Sequence, residues 1–419
     1  MFNSVNVCKS GVEPNSDRIQ TKEIQAVIDS MKDSGGTVYF PKGRYVTGTL
    51  YLYSDITVYM ESGAELLGSG CEENYEGNYM GAVEAPSFSK CLIYAENTRN
   101  VTIKGNGCID GRSVTFKNAR PMLMRFVNCS DLKFENVHIK NAGAWAVHFV
   151  RCENIHISGV TLFSRSVSNS DGFDFDSCRD VFISNTKIST GDDSICLKNT
   201  TEIPCENFVI SNCILSSDTA GLKIGTSSVT GFKNIVMSNC IFKDCPMGTI
   251  KIISVDGALI ENIRISDIVM ENVGSPLFIR IGRRNMKFDK PIEMDYETAG
   301  RENDEKPGKI RNISISGIIA DVTAEKDRAP LMLTGIKDSF IDNVRIRNMY
   351  VSFPGGGNNE DSCTVVPEDE FRYPEQSFFG VLPAWGMYAR HIRGLSLEDV
   401  EFVLKSEDMR CCIVKEDCE

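Results

Sequence analysis

The 419-residue sequence lacks long apolar runs, an excess of basic residues and a recognisable export signal. No hydrophobic stretch reaches the roughly 18 residues that a membrane-spanning helix needs. Lys and Arg number 45 against 57 Asp and Glu, and the net charge of −12 argues against nucleic acid or an anionic membrane as a partner. The first residues, MFNSVNVCKSG, contain neither a basic cluster nor an apolar segment, so the sequence predicts no signal peptide and a cytoplasmic location.

Cysteine is abundant, with sixteen residues, but its arrangement argues against two of its usual roles. Disulfide frameworks are typical of short exported chains, and no CxxC-like cluster indicates a zinc site. Four cysteines lie two residues before the start of a repeated hexapeptide, namely Cys129, Cys152, Cys178 and Cys205. Two more, Cys213 and Cys240, lie six residues after its first residue. We therefore predict buried, reduced thiols that stack in columns as small hydrophobic side chains.

That hexapeptide alternates apolar and polar residues and recurs along most of the chain. Copies include NVTIKG at Asn100, NIHISG at Asn154 and NIVMSN at Asn234, and most copies are 23 to 31 residues apart. Period-two alternation favours strands, and strands at this spacing are typical of the coils of a parallel β-helix. A propeller blade would be longer, and the leucine-rich consensus is absent.

A short amphipathic helix is predicted before the coils, within residues 16–34, with Gly35 as its end. One helical face carries four apolar residues, Ile24, Val27, Ile28 and Met31. Such a helix could cover the first coil, whose strand edges would otherwise be exposed. We expect one all-β domain over residues 1–419, with inserted loops at 282–308 and 353–385.

The strand that precedes each cysteine predicts a column of residues pointing away from the core. Apolar pairs such as Phe173 and Phe175 face inward, so the residue between them faces outward. In chain order the column reads Arg125, His148, Asp174, Cys196, Lys223, Lys251, Arg280, Met332 and Tyr388, and Arg390 and His391 follow. The same alignment places Asp171 and Asp193 in neighbouring coils, with Asp192 beside them.

A single stacked Asp pair would be ordinary turn chemistry in a β-helix. Four acidic residues in two consecutive coils, followed by cations in the next coils, favour a functional site instead. Mutual repulsion raises the pKa of at least one such carboxylate and separates their protonation states, as acid–base catalysis requires.

At these residues the chain resembles glycoside hydrolase family 28, the polygalacturonase family of right-handed parallel β-helices. Family members carry Asn-Thr-Asp-Gly, Asp-Asp, Gly-His-Gly and Arg-Ile-Lys motifs. Here Asn169–Gly172 reads NSDG, a near match to the first motif, and Gly191–Asp193 reads GDD, a full match to the Asp pair of the second. Thr219–Gly221 reads TAG, without the histidine, and Lys251 and Ile253 stand at the places of the arginine and lysine.

The resemblance implies a right-handed, pectin-lyase-like solenoid and an inverting glycoside hydrolase that needs no metal or organic cofactor. It makes Asp192 the general acid, and Asp171 and Asp193 the groups that hold and deprotonate the attacking water. The candidate substrate contacts are Asn169, Asp174, His148, Lys223, Lys251, Arg280, Tyr388, Arg390 and His391. His148 and His391 are also candidates to replace the missing histidine.

The expected substrate is a galacturonan or rhamnogalacturonan, so the expected partner is a uronic-acid-containing carbohydrate. Polar and aromatic residues of the inserted loops, among them Glu375 and Trp385, favour exo-cleavage of short fragments. Two alternatives stay open: a calcium-dependent β-helix lyase, and a non-catalytic carbohydrate-binding β-helix. Linkage, endo or exo action and oligomeric state are open at this point.

Overall fold

The computed structural model describes residues 3–76, 90–113, 120–286, 306–323 and 328–419. The chain forms two compact units, Met1–Asp192 and Asp193–Glu419, and parallel strands dominate each of them. In the described parts of the chain, no helix has the length and apolar character needed to cross a lipid bilayer. The expectation of one domain over residues 1–419 stays a prediction.

The first unit contains one α-helix, α1 (Thr21–Asp29), and short parallel strands in its described residues. The strands are β1 (Ser4–Asn6), β2 (Ser16–Ile19), β3 (Gly36–Phe40), β4 (Gly43–Thr47), β5 (Leu50–Tyr51), β6 (Ile56–Met60), β7 (Ala64–Gly68), β8 (Cys91–Glu96), β9 (Arg99–Gly105), β10 (Cys108–Asp110), β11 (Met122–Val127), β12 (Ser130–Glu135), β13 (His138–Lys140), β14 (Val147–Val150), β15 (Glu153–Ser158), β16 (Thr161–Ser164), β17 (Phe173–Asp176), β18 (Arg179–Ser184) and β19 (Lys187–Thr190). From β8 to β16 each strand pairs in parallel with the strand three places further on, which is one coil of a β-helix.

The second unit contains longer strands and one short α-helix, α2 (Asn359–Ser362), within its described residues. Its strands are β20 (Ile195–Asn199), β21 (Cys205–Ser211), β22 (Ile214–Ser217), β23 (Leu222–Ser228), β24 (Gly231–Cys245), β25 (Ile250–Ser254), β26 (Leu259–Val273), β27 (Leu277–Ile281), β28 (Lys309–Val322), β29 (Leu331–Thr334), β30 (Ile341–Phe353), β31 (Ala384–Leu404) and β32 (Cys411–Cys418). The predicted loop at 353–385 contains α2, whereas residues 287–305 of the loop predicted at 282–308 lie outside the described residues.

The first residue of the repeated hexapeptide adopts a left-handed backbone conformation in every coil. Asn100, Asn154, Asn234 and Asn312 have φ values of 55°, 54°, 58° and 59°. Asn and Asp tolerate this conformation better than most residues, which accounts for their recurrence at the position. Their side chains also bond from coil to coil: Asn234 Nδ2 donates to Asn207 Oδ1 at 3.0 Å, and Asn312 Nδ2 donates to Asn262 Oδ1 at 3.2 Å.

The cysteines stack inside each unit as reduced thiols, as predicted. The backbone N–H of Cys129 donates to Cys152 Sγ at 3.4 Å, and that of Cys152 donates to Cys178 Sγ at 3.5 Å. In the second unit the Cys213 N–H donates to Cys240 Sγ at 3.4 Å. All of these residues are buried, and none of the sixteen cysteines forms a disulfide.

Helix α1 is confirmed, but it is shorter than the predicted region 16–34. Residues Ser16–Ile19 form β2 instead, because they pair in parallel with β4. The apolar face is buried as expected, at Ile24, Val27, Ile28 and Met31. Gln25 on this helix accepts a hydrogen bond from the Tyr51 N–H at 2.9 Å and donates one to the Tyr51 carbonyl at 3.1 Å. Its amide thereby occupies the edge of β5 as a neighbouring strand would.

Candidate active site

Two carboxylates predicted as catalytic, Asp171 and Asp192, lie together in the first unit. Asp171 precedes β17 and Asp192 follows β19, and carboxylate oxygens of the two residues lie within 4.8 Å of one another. Asn169 Nδ2 donates to Asp192 Oδ2 at 3.5 Å. Asp171 is buried, whereas Asp192 is partly exposed. The structure therefore brings the first motif and the first Asp of the second motif to one place.

Arg120 adds a cation to this acidic pair, and the sequence reasoning missed it. Its guanidinium donates to Asn169 Oδ1 at 3.0 Å and to the carbonyl of Gly143 at 3.2 Å. Burial lowers the pKa of Arg120, while the charges of Asp171 and Asp192 act in the opposite direction. Arg120 precedes β11 and lies outside every aligned strand position, so only three-dimensional proximity could reveal it.

Arg125, His148 and Asp174 form one column in adjacent coils, as the alignment predicted. Each points away from the apolar interior, yet each has no exposed surface. The His148 ring packs edge-on against Trp145, with ring centroids 4.9 Å apart. The residues of this column thus point away from the core as predicted, but they are buried in the first unit. His148 and Asp174 offer no exposed surface for a substrate contact.

Asp193, the first residue of the second unit, is a buried carboxylate with two strong partners. Its Oδ2 lies 3.0 Å from Lys223 Nζ, and its Oδ1 accepts a hydrogen bond from the Thr219 hydroxyl at 2.7 Å. Burial alone would raise the pKa of Asp193, but the lysine charges, chiefly that of Lys223, outweigh it and hold the pKa below 3.8. Asp193 is thus ionised at neutral pH, as a group that accepts a proton from water must be.

The Gly-His-Gly position of the family contains Thr219–Gly221 here. Ala220 is fully buried, and its carbonyl accepts the Ser194 N–H at 2.9 Å. The side chain that reaches Asp193 from this turn is therefore the Thr219 hydroxyl. No sequence pattern singles out Thr219, because the departure from the family motif is at its neighbour, Ala220.

Lys251 and Lys223 meet two residues of the second inserted loop, Tyr373 and Glu375. Lys251 Nζ lies 2.5 Å from Glu375 Oε2, and Lys223 Nζ lies 3.9 Å from Glu375 Oε1. The Tyr373 hydroxyl is 3.5 Å from Lys223 Nζ and accepts a hydrogen bond from Thr226 at 3.2 Å. Burial raises the pKa of Tyr373 to about 12, so it is a neutral hydroxyl group at physiological pH.

The predicted column is correct from Cys196 to Lys251 but wrong at Arg280. Lys251 pairs in register with Phe278, and the column continues to Met332 and Tyr388. Arg280 is two residues further along, in register with Ile253. Leu277, Ile279 and Ile281 all face inward, so a shift of two residues preserves the alternation and the sequence cannot detect it.

Arg280 and Arg390 hold the inserted loop rather than lining an open groove. Arg280 donates to the carbonyls of Glu368 at 2.6 Å and Asp369 at 3.1 Å, and Arg390 donates to those of Val366 and Pro367, both at 2.8 Å. Burial, reinforced by the charge of Arg390, lowers the pKa of Arg280 to about 10. Substrate contact would require both guanidinium groups to exchange these bonds.

Tyr388 and His391 are also occupied by protein contacts. The Tyr388 hydroxyl donates to Glu416 Oε2 at 2.7 Å, and its ring lies in a buried cluster with Phe278 and Met332. His391 Nδ1 lies 2.6 Å from Asp417 Oδ2, and its Nε2 lies 3.1 Å from Glu368 Oε1. These contacts anchor the loop and the C-terminal strand. They give no support to either residue as a substrate contact or as a replacement for the family histidine.

Comparison with known proteins places these motifs in a family. The model of the glycosyl hydrolases family 28 matches residues 59–372. A probable polygalacturonase from Vitis vinifera is 29% identical over 202 residues, which cover 43% of this chain and 41% of that protein. An exo-poly-alpha-D-galacturonosidase from Dickeya chrysanthemi is 22% identical over 248 residues, 46% of this chain and 41% of that one. The chain thus spans about two-fifths of the length of these curated relatives.

A solved structure with the same fold is the Yersinia enterocolitica family 28 exopolygalacturonase. It has a TM-score of 0.72 and 18% sequence identity, and the match covers 100% of this chain and 78% of that one. The predicted fold, a right-handed parallel β-helix, is confirmed. Since the family model matches about three quarters of the sequence and both Asp-containing motifs fall inside that match, the chain belongs to glycosyl hydrolases family 28.

Proposed function

We propose that the protein hydrolyses glycosidic bonds in pectin-type oligosaccharides, with Asp171, Asp192 and Asp193 as its catalytic residues. The observation that carries this proposal is the match to family 28 over residues 59–372, which contains both Asp motifs. Lys223 and Thr219 contact Asp193, the second Asp of the Asp-Asp motif, and the lysine charge keeps its carboxylate ionised. A peptide bond joins this residue directly to Asp192, the partly exposed acid of the first unit.

In the proposed mechanism, Asp192 donates a proton to the leaving glycosidic oxygen. Asp193 and Asp171 hold the attacking water and take up its proton, so that the sugar gains a hydroxyl group as the bond to the leaving oxygen breaks. Asn169 and Arg120 position the Asp192 side of the site through the Asn169 amide. No step uses a metal or an organic cofactor.

Inversion of the anomeric centre follows from the motif match rather than from a distance. Inverting glycosidases separate their two carboxyl groups by about 6.5–9.5 Å, and retaining ones by about 5–5.5 Å. Carboxylate oxygens of Asp171 and Asp192 lie within 4.8 Å of one another, which is shorter than either range. Asp171 is one of the two residues proposed to hold the water, so this distance does not set the stereochemical outcome. Proton NMR of the first-formed product anomer tests inversion directly.

Exo-cleavage of short fragments is part of the same proposal. The names of the Dickeya and Yersinia relatives support it, since both are described as exo-acting on galacturonan. The second inserted loop supports it too, because Tyr373 and Glu375 reach the lysines beside Asp193. A cytoplasmic location remains a prediction.

The test is turnover of a panel of galacturonan, rhamnogalacturonan and unrelated oligosaccharides by the full-length protein. We expect new reducing ends from a pectin fragment, and we expect Asp192→Asn to lower kcat by at least about a thousandfold because protonation of the leaving group is lost. Asp399→Asn, an exposed substitution of the same chemical kind, is the matched control.

Three results would contradict the proposal. The first is an absence of cleavage across the panel, and the second is near-normal turnover by Asp192→Asn. The third is an unsaturated product that absorbs in the ultraviolet and disappears with a chelator, which would identify the calcium-dependent lyase alternative.

A further inference from the structure

Two buried lysines in the second unit are already paired with carboxylates of the protein. Lys251 lies 2.5 Å from Glu375, and Lys223 lies 3.0 Å from Asp193. Lys251 is 1% exposed and Lys223 6% exposed. We call the group formed by Lys223, Lys251, Tyr373 and Glu375 the charged wall.

Glu375 and Tyr373 are the more exposed members of the charged wall. Glu375 is 8% exposed and Tyr373 is partly exposed, so both present more surface than Lys251 does. Both residues come from the inserted loop, 124 residues beyond Lys251 in the case of Glu375. The next residue, Gln376, ties this part of the loop down by donating to the Pro330 carbonyl at 2.7 Å. A sugar that reaches the wall therefore meets a carboxylate and a phenol before it meets Lys251.

The charges of Lys223 and Lys251 are balanced by those of Asp193 and Glu375, so the charged wall offers a uronate carboxylate no surplus positive charge. Such a carboxylate would approach the negative charge of Glu375, and it could reach Lys251 only by displacing Glu375 from a buried ion pair, which leaves a carboxylate unpaired. A sugar without a carboxylate meets no such repulsion. Its hydroxyl groups can donate to Glu375 and exchange hydrogen bonds with Tyr373, both of which are fixed by the protein.

We propose that Glu375 makes the subsite at the charged wall select an uncharged sugar and reject a uronate. This inference rests on the proposed function and narrows its substrate to pectin fragments that carry a neutral residue, such as those in which uronates alternate with a neutral deoxysugar. Glu375 is then a specificity residue that acts chiefly by exclusion of the wrong substrate.

The experiment compares wild type, Glu375→Gln and Glu401→Gln on two oligosaccharides of equal length. One is composed only of galacturonate, and the other alternates galacturonate with rhamnose. Glu375→Gln keeps the size of the side chain and one acceptor oxygen but removes its charge. Glu401→Gln makes the same change at an exposed position of β31. Thermal unfolding establishes that each variant is folded.

We expect wild type to have the higher kcat/KM on the alternating oligosaccharide. Glu375→Gln should raise the ratio of kcat/KM for the all-uronate substrate to that for the alternating one by about tenfold or more, since like-charge repulsion is removed. Glu401→Gln should leave the ratio within about twofold. A wild-type preference for the all-uronate substrate, or an unchanged ratio in Glu375→Gln, would overturn the inference.

Binding of the same two oligosaccharides, measured by calorimetry, separates the inference from the proposed function. If wild type cleaves neither substrate, the catalytic proposal fails. The inference is still supported if wild type binds the alternating oligosaccharide more tightly and Glu375→Gln reverses this preference. Equal binding of the two oligosaccharides by wild type would overturn it.

If Glu375→Gln does not fold, Glu375→Asp keeps the charge and should keep the wild-type preference, and a lost preference in this variant would contradict the inference.

Discussion

Removal of the Lys223 ammonium group should destabilise the protein in a pH-dependent way. Lys223→Met keeps most of the unbranched side chain, but the Asp193 carboxylate, 3.0 Å from Lys223 Nζ, loses its cation while it stays buried. Two unit charges at this distance attract each other by about 5–6 kcal/mol at an effective dielectric constant of about 20. Deleting one partner of a buried pair costs about 3–5 kcal/mol, and we expect a loss of this size in the free energy of unfolding at pH 7.

The sign of the pH dependence follows from the two pKa shifts. The pKa of Asp193 is lowered, so its stabilisation is complete above the unfolded value near 3.8 and is lost as the pH falls through the folded value. The pKa of Lys223 is raised well above 10.5, so its own contribution is complete throughout the acidic and neutral range. The gap between wild type and Lys223→Met should therefore be largest near neutral pH and shrink as Asp193 becomes protonated.

Urea unfolding at a series of pH values, followed by circular dichroism, measures this gap. The double variant Lys223→Met/Asp193→Asn closes a double-mutant cycle and should recover part of the loss, because no buried charge is left unpaired. Leu or Met at an exposed lysine, such as Lys309, controls for the loss of net charge. A loss below about 1 kcal/mol, or one that is the same at pH 3 and pH 7, would refute the reasoning.

Two further predictions concern single contacts. Thr219→Val removes the hydroxyl that donates to Asp193, so the pKa of Asp193 should rise and the acidic limb of the pH profile of kcat/KM should move to higher pH. Thr219→Ser keeps the hydroxyl and should give the wild-type profile. A Val variant with the wild-type profile would contradict the role of Thr219 in keeping Asp193 ionised. Gln25→Ala removes the side chain that bonds the N–H and the carbonyl of Tyr51, so the free energy of unfolding should fall by about 1–2 kcal/mol in urea titrations. A change within experimental error would refute this expectation.

The fold could be predicted because every coil meets the same local requirements with the same types of residue. The Asn or Asp that opens the hexapeptide adopts a left-handed backbone in every coil, and the apolar residues after it face the core. Such local requirements leave a periodic signal in the sequence. Helix α1 could be predicted for the same reason, although Ser16–Ile19 has no comparable signal and pairs as a strand.

The candidate site was predictable only in part. Asp171 and Asp192 belong to short local motifs, so their proximity could be expected, whereas Arg120 comes from an unaligned turn. Arg280 was misplaced because alternation repeats every two residues, so the strand pattern cannot exclude a two-residue shift. The contact of Glu375 with Lys251 depends on how a long inserted loop folds back, which no local pattern encodes.

The asparagine bonds between coils do not depend on how much chain separates them. Asn262 donates to Asn234 across 28 residues, Asn312 donates to Asn262 across 50, and both bonds are 3.2 Å long. Each bond thus re-establishes the same alignment after an extra stretch of polypeptide. Segments of different length can therefore be inserted between Asn262 and Asn312 while the bond between these residues keeps the coils aligned. This interval is thus a suitable place to graft new recognition loops onto the same scaffold.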